Sequence, residues 1–318
     1  MTEELLNISS PLIQETLDEL ITNITKQTPK GQLPSYIPYL SNIDPTHWAI
    51  ALVNINDHIY SKGNINCKFP LMSVIKPFLL LYLLSAIGPE RVWQKVGIEP
   101  SEQPYNSISQ LEKDHGWPRN PMINSGAICL AGLLVDHVQE NNRSNTACAE
   151  LSNWLNTQAN VNLYLDEAVL KSVRSLPNQT NKNITATLAQ AGYIRPEQVT
   201  NTLDVYNQIC CLSGNILDLV KLGMLLINTP LINPVNPEYC RLVKALMLTC
   251  GLYEASGRYV VKIGLPMKSA VSGIILAVVP HQGAIACYSP PLDNEGNSVI
   301  GLALLEAIAS QLNLSLFN

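Results

Sequence analysis

The chain has 318 residues, 47% of them hydrophobic and 14% charged, with a formal net charge of −5. That length and apolar content bury a sizeable core, which points to one large domain or two intimate lobes and excludes a disordered chain. The charges are scattered without blocks or a basic stripe, which argues against nucleic acid or an acidic membrane surface as a partner.

The opening stretch, MTEELLNISS, is acidic and polar and does not read as a secretory signal. Residues 9–27 carry helical periodicity through Leu12, Ile13, Leu17, Leu20, Ile21 and Ile24. Gly31–Pro38 is rich in turn residues. Trp48–Ile55 alternates and reads as a strand, Asn56-Asp57 as a turn, and His58–Ser61 as the returning strand of a hairpin. From Ala86 to Thr249 the chain is mostly helical or irregular. The clearest helices are Ala127–Val138, Ala147–Leu155, Ile184–Ala191 and Ile216–Ile227. Gln139–Asn145 and Ser175–Lys182 are polar and read as loops. Strands return at Tyr259–Ile263, Ser272–Val279 and Ala284–Tyr288, and a helix over Val299–Leu312 closes the chain.

The fold class expected from this order is α+β. Both chain ends supply one antiparallel sheet flanked by helices, and a large helical insertion packs beside it. Residues 1–318 then form a single domain, with an α/β lobe from 1–72 and 255–318 and a helical lobe from 73–254.

The longest apolar run, Pro77–Gly88, covers about a dozen residues, short of the roughly 20 needed to span a bilayer, so no membrane segment is expected. The eight cysteines, Cys67, Cys129, Cys148, Cys210, Cys211, Cys240, Cys250 and Cys287, form no C-x-x-C pair and read as reduced core residues of a cytoplasmic protein. The five histidines show no ligand spacing, so neither a metal nor a cofactor is expected. The acceptor sequences at Asn142 and Asn178 mean little without a signal peptide.

Phe69–Leu84, FPLMSVIKPFLLLYLL, carries the strongest chemical signal. Ser73 and Lys76 stand three residues apart, which on a helix puts both side chains on one face. A serine hydroxyl is a poor nucleophile until a neighbouring base takes its proton. Burial disfavours the charged form of an amine, and Phe69, Leu71, Met72, Ile75 and Phe78 can supply that burial. Pro77 locates the helix start: it costs about 3 kcal/mol inside a helix but little in the first turn, so the helix begins near Ser73. The Ser73 N–H is then a free donor at the positive helix end, suited to an oxyanion. The alternative is a buried helix with an incidental serine and lysine.

Other polar clusters sit in apolar surroundings. PRNPMINSGA (118–127) offers paired amide donors and acceptors, LMLTCGLYEASG (246–257) holds Tyr253 in a glycine-flanked turn, and KSAVSG (268–273) precedes a strand. Tyr36 and Tyr206 are further candidates. Each alone also fits packing or loop capping.

In combination these segments are specific. SYIPYL, DPTHWAIALVN, the Ser73–Lys76 motif, VGIEPS, YNSISQLE, PRNPMINSGA, LDVYNQICCL, ALMLTCGLYEASG, IGLPMKSAVSG and YSPPLDNEGNS occur in one order from about Gly31 to Leu312. The chain thereby resembles the serine-dependent glutaminases, a family of the β-lactamase and penicillin-binding-protein superfamily, which implies a β-lactamase/transpeptidase-like fold. The resemblance implies hydrolysis of L-glutamine to L-glutamate and ammonia. Ser73 would be the nucleophile and Lys76 the base, with Tyr253 aiding proton transfer. The backbone N–H groups of Ser73 and Val271 would form the oxyanion hole. Tyr36, Asn124, Asn183, Tyr206 and Tyr253 would line the substrate pocket. The resemblance also implies a homo-oligomer with a small-molecule amide substrate.

The departures bear on substrate. A glutamate that holds the substrate's amino-acid end in the family falls at Val173, and the stretch from there to Asn183 runs about three residues longer than the family's. Losing one side of a buried ion pair costs about 3–5 kcal/mol. Asp166 and Glu167 lie just upstream as candidate replacements. Ile75 replaces a hydroxyl residue beside the dyad, Met267 stands where a small residue is common, and Ala270, Ser272 and Ile274 replace glycines. The alternatives are therefore a serine amidohydrolase or acyltransferase of the same family acting on a different amide, or a non-catalytic binding protein on this scaffold.

Overall fold

A computed structural model describes residues 6–26, 31–141, 146–227 and 235–318. Its strands are β1 (Ala49–Asn54), β2 (Ile59–Gly63), β3 (Phe69–Pro70), β4 (Tyr164–Leu165), β5 (Leu212–Gly214), β6 (Met267–Ala270), β7 (Ile274–Val279) and β8 (Gly283–Tyr288). The larger sheet has the order β2-β1-β8-β7-β6, antiparallel throughout, so both chain ends supply it as expected. Alternate residues of β1 enter different cores. Ile50 and Leu52 pack with Ile275, Ile285, Leu304 and Ile308, whereas Ala49, Ala51 and Val53 join the core of the helical region. Both faces are covered, which is why these strands read as continuous apolar runs.

The principal helices are α1 (Pro11–Thr25), α2 (Ile75–Ile87), α3 (Asn124–Glu140), α4 (Ala147–Ala159), α5 (Glu167–Arg174), α6 (Gln179–Gln190), α7 (Val199–Cys210), α8 (Ile216–Met224), α9 (Pro237–Cys250), α10 (Ser256–Lys262) and α11 (Val299–Gln311). α1 and α11 cover one face of the sheet, and α8 lies on the other. A side chain at Gly223 of α8 would come within 2.6 Å of Ala284, so the absent Cβ permits this close approach. α2 is buried around its whole circumference from Ile75 to Leu84 and forms the axis of the helical region. No helix of the described residues is long and apolar enough to cross a membrane.

The structure corrects three expectations. Tyr259–Ile263 lies mostly in helix α10, not in a strand. Its β-branched run has no partner, Val261 is 88% exposed, and Tyr259 instead packs under Arg258 and Lys262. The strand expected there is β6, four residues on, where polar Lys268 and Ser269 masked the pattern. Ser175–Lys182 is not a loop throughout, since α6 begins at Gln179 with Thr185 bonding back to Asn181 O at 2.7 Å. α3 continues through Gln139 and Glu140, and residues 142–145 of that expected loop, Asn142 included, lie outside the described residues.

A short second sheet, β3-β5-β4, went unread in the sequence. It fixes Phe69 and Pro70 against Gly214 and Ser213, and the next residue, Leu71, donates its N–H to Leu212 O at 2.8 Å. The chain entering α2 is thereby clamped immediately before Ser73.

Candidate active site

Ser73 occupies a 3-10 turn, Met72–Val74, that leads directly into α2. Met72 adopts φ +44°, a left-handed conformation that a side chain rarely accepts. The clamp from β3 and β5 holds this strained residue, and Ser73 opens onto a cavity of about 220 Å³. Pro77 is the third residue of α2, where its missing N–H leaves little unpaired.

Lys76 is fully enclosed at 1% exposure. Its Nζ donates to Asn124 Oδ1 at 2.8 Å and to Met122 O at 3.3 Å. Among the described residues no carboxylate pairs with it, and burial pushes the amine down to about 8. Asn124 opens α3 and is the hub of the polar wall. Besides accepting from Lys76, its Oδ1 accepts from the Tyr206 hydroxyl at 3.2 Å, and its Nδ2 donates to Asn181 Oδ1 at 3.0 Å. Tyr206, on α7, is held neutral by its burial and also bonds the Cys210 thiol.

On the sheet side, Tyr253 sits at φ +57° in the turn after α9. Its phenol donates to Ser269 O at 3.3 Å, and the Ser73 side chain lies close enough to act on its titration. Burial raises its pKa. The Tyr105 ring packs against it with centroids 4.5 Å apart, and the Lys268 amine lies 4.4 Å from its ring centroid. Lys268 is fully buried and donates to Gly251 O at 2.9 Å and Ser269 O at 2.7 Å. Burial and the Lys76 charge hold its pKa well below the usual lysine value. A side chain at Gly251 would fall 1.8 Å from Met267 O, so only glycine lets this turn lie on β6. Val271, just past β6, lines the cavity.

The structure thus brings together Ser73, Lys76, Asn124, Tyr206, Tyr253 and Val271, with Tyr36 on the rim. It does not bring Asn183 to the cavity. Asn183 is exposed and accepts from Gln179 Nε2 at 2.6 Å, while Asn181 lines the cavity in its place. The helix face explains the shift. Asn181 precedes the buried Ile184, Thr185 and Leu188 by three, four and seven residues and shares their side of α6. That periodicity was available in the sequence, and it removes two of the three extra residues counted after Val173.

Val173 does line the cavity, next to Leu176. Neither upstream acid replaces a carboxylate there. Asp166 caps α5 by accepting from Ala168 and Val169 N–H, and Glu167 is exposed. Two participants were missed. Tyr105, inside the YNSISQLE segment, lines the cavity with Tyr36 and packs on the Tyr253 ring. Lys268 drew no notice beside the small residues that follow it, although a lysine opening an apolar strand was the available signal.

The family model for glutaminase matches residues 31–317. Glutaminase from Synechocystis sp. is 47% identical over 89% of this chain and 84% of its own length, and that of Clostridioides difficile is 36% identical over 96% and 99%. Among solved structures, "Probable glutaminase ybaS" superposes with a TM-score of 0.88 at 32% identity over 96% of this chain and 98% of that one. A Bacillus subtilis probable glutaminase complexed with 6-diazo-5-oxo-L-norleucine gives 0.83 at 26% identity over 97% and 98%. The family model over residues 31–317 and these relatives show that the chain belongs to the glutaminase family.

Proposed function

We propose that the protein hydrolyses the side-chain amide of L-glutamine to L-glutamate and ammonia through a Ser73 acyl-enzyme, with Lys76 as the base. The observation that carries this reading is Lys76 itself. It is enclosed without a counter-ion, three residues from a serine at a cavity wall, and its pKa of about 8 leaves a usable neutral fraction near pH 7.

Neutral Lys76 takes the Ser73 proton as Oγ bonds to the amide carbon. The carbonyl oxygen gains the electron pair, stabilised by the N–H groups of Ser73 and Val271. Collapse breaks the C–N bond. The proton held by Lys76 goes to the departing nitrogen, with the Tyr253 phenol near Ser73 aiding the transfer. Water then repeats the sequence on the ester and releases the acid. Asn124, Asn181 and Tyr206 orient the rest of the substrate.

The test is ammonia release from L-glutamine with Ser73→Ala as control, together with mass-spectrometric detection of a 6-diazo-5-oxo-L-norleucine adduct on Ser73. Turnover by wild type and its loss of about 10⁴-fold or more in the variant is expected. Equal rates in both proteins would remove Ser73 from the mechanism.

Val173 favours a second reading, the same acyl chemistry on an amide other than glutamine. On either reading residues 1–72 with 255–318, and 73–254, are proposed as two lobes of one catalytic unit. Family resemblance extends the proposal to a cytoplasmic homo-oligomer, which light scattering on the purified protein tests for assembly.

A further inference from the structure

The cavity walls carry dipoles and apolar surface but no formal charge. Among the described residues lining it, Asn106, Asn124, Asn178, Asn181 and Asn207 offer amides, and Val173 and Leu176 form an apolar patch. The acids nearby are committed elsewhere. Asp204 is paired through two oxygens with Arg174, at 2.9 and 2.7 Å, and Asp166 caps α5. Glu254 is exposed beyond Tyr105. Asp293 and Glu295 line a neighbouring cavity on the far side of Tyr36 and Tyr105. There Asp293 accepts from Glu295 and Asn297 N–H, and Glu295 pairs with Arg258. The ionisable groups closest to the reacting end are the two buried amines, Lys76 and Lys268, whose charged forms burial disfavours.

A substrate ammonium placed here meets only neutral oxygens among the described residues that line the cavity. A substrate carboxylate meets amide and phenol donors. We propose that this site takes ω-amides of short carboxylic acids as a class, without requiring an α-ammonium group, so that deaminated and N-acylated glutamines are substrates alongside L-glutamine. This rests on the Ser73 acyl-enzyme reading and concerns the other end of the substrate. The reaction balances as before: the C–N bond breaks, water adds across it, and ammonia and a carboxylic acid leave.

The experiment compares kcat/KM, by ammonia release, for L-glutamine, N-acetyl-L-glutamine and glutaric acid monoamide with the full-length protein. The three are expected to agree within about tenfold. A preference for L-glutamine over glutaric acid monoamide of more than about 100-fold would overturn the inference. Val173→Glu, which puts an anion into the wall, is expected to raise that preference at least about tenfold, and an unchanged preference in the folded variant counts against it. The wild-type comparison needs no variant, so misfolding of Val173→Glu leaves the test in force. Ser73→Ala run on all three amides separates the two ideas. Persisting hydrolysis defeats the nucleophile assignment, whereas selective rejection of the deaminated amide with Ser73 essential defeats only the substrate class.

Discussion

The reacting end and the binding end of the cavity are built by different means. The proposed reacting end is enclosed and carries two buried amines. Ser73 follows a residue at φ +44°, Tyr253 is itself at φ +57°, and two buried lysines are held by amide and main-chain oxygens. The binding end is neutral and rests on helix faces, with Asn124 on α3, Asn181 on α6, Tyr206 on α7 and Val173 on α5. Strained backbone and enclosed amines survive only where the surrounding structure over-determines them, so they mark what the chemistry cannot vary. Side chains on a helix face can be exchanged singly, which makes recognition the part that diverges.

This contrast breaks most visibly if the amines prove dispensable. Lys76→Met is expected to lower kcat by about 10²–10⁴-fold with little change in KM, because a general base acts in the transition state. Lys268→Met removes one of two donors to each of the Gly251 and Ser269 carbonyls, which keep the Ser269 N–H and the Tyr253 phenol, and loosens the Tyr253 turn. It should cost about 0.5–1.5 kcal/mol of stability for each hydrogen bond lost, and lower kcat as well, both read from thermal melts and initial rates.

The pH profile sharpens the comparison. Burial lowers the Lys76 pKa to about 8, and the proposed mechanism needs the neutral amine. Protonation dominates below that value, so kcat should rise with pH from 6.5 and level off above about 8.5. A profile already flat at pH 6.5 would assign the base elsewhere. At the binding end effects should be smaller and fall on KM. Asn181→Ala and Tyr206→Phe each remove one hydrogen bond of the Asn124 network and should raise KM about three- to tenfold. Asn183→Ala, on the solvent side of the same helix, should change stability by less than about 0.5 kcal/mol and leave KM unaltered.

Local signals placed much of the reacting end. The Ser73–Lys76 spacing, Pro77 as a helix-start marker and the glycine-flanked Tyr253 are all short-range features, and the structure brings these side chains to one place. The Asn183 assignment failed because motif position outweighed helical phase, and the phase was readable from Ile184 and Leu188. Tyr259–Ile263 failed for the opposite reason. A local β-branched pattern was trusted where no strand lay alongside to receive it.

The sequence by itself determined the N-terminal hairpin, the last two strands and the closing helix, the order that pairs them, and the presence of a serine and a lysine one helical turn apart, because periodicity and spacing act over a few residues. Only the tertiary structure decided that β3 and β5 clamp the turn before Ser73, that Lys268 comes to lie beneath Tyr253, and that Val173 faces the cavity while Asp166 and Glu167 do not. Those outcomes depend on how separate elements pack, β3 and β5 lying 145 positions apart at Phe69 and Gly214, and on which buried polar groups find partners. No local pattern encodes either.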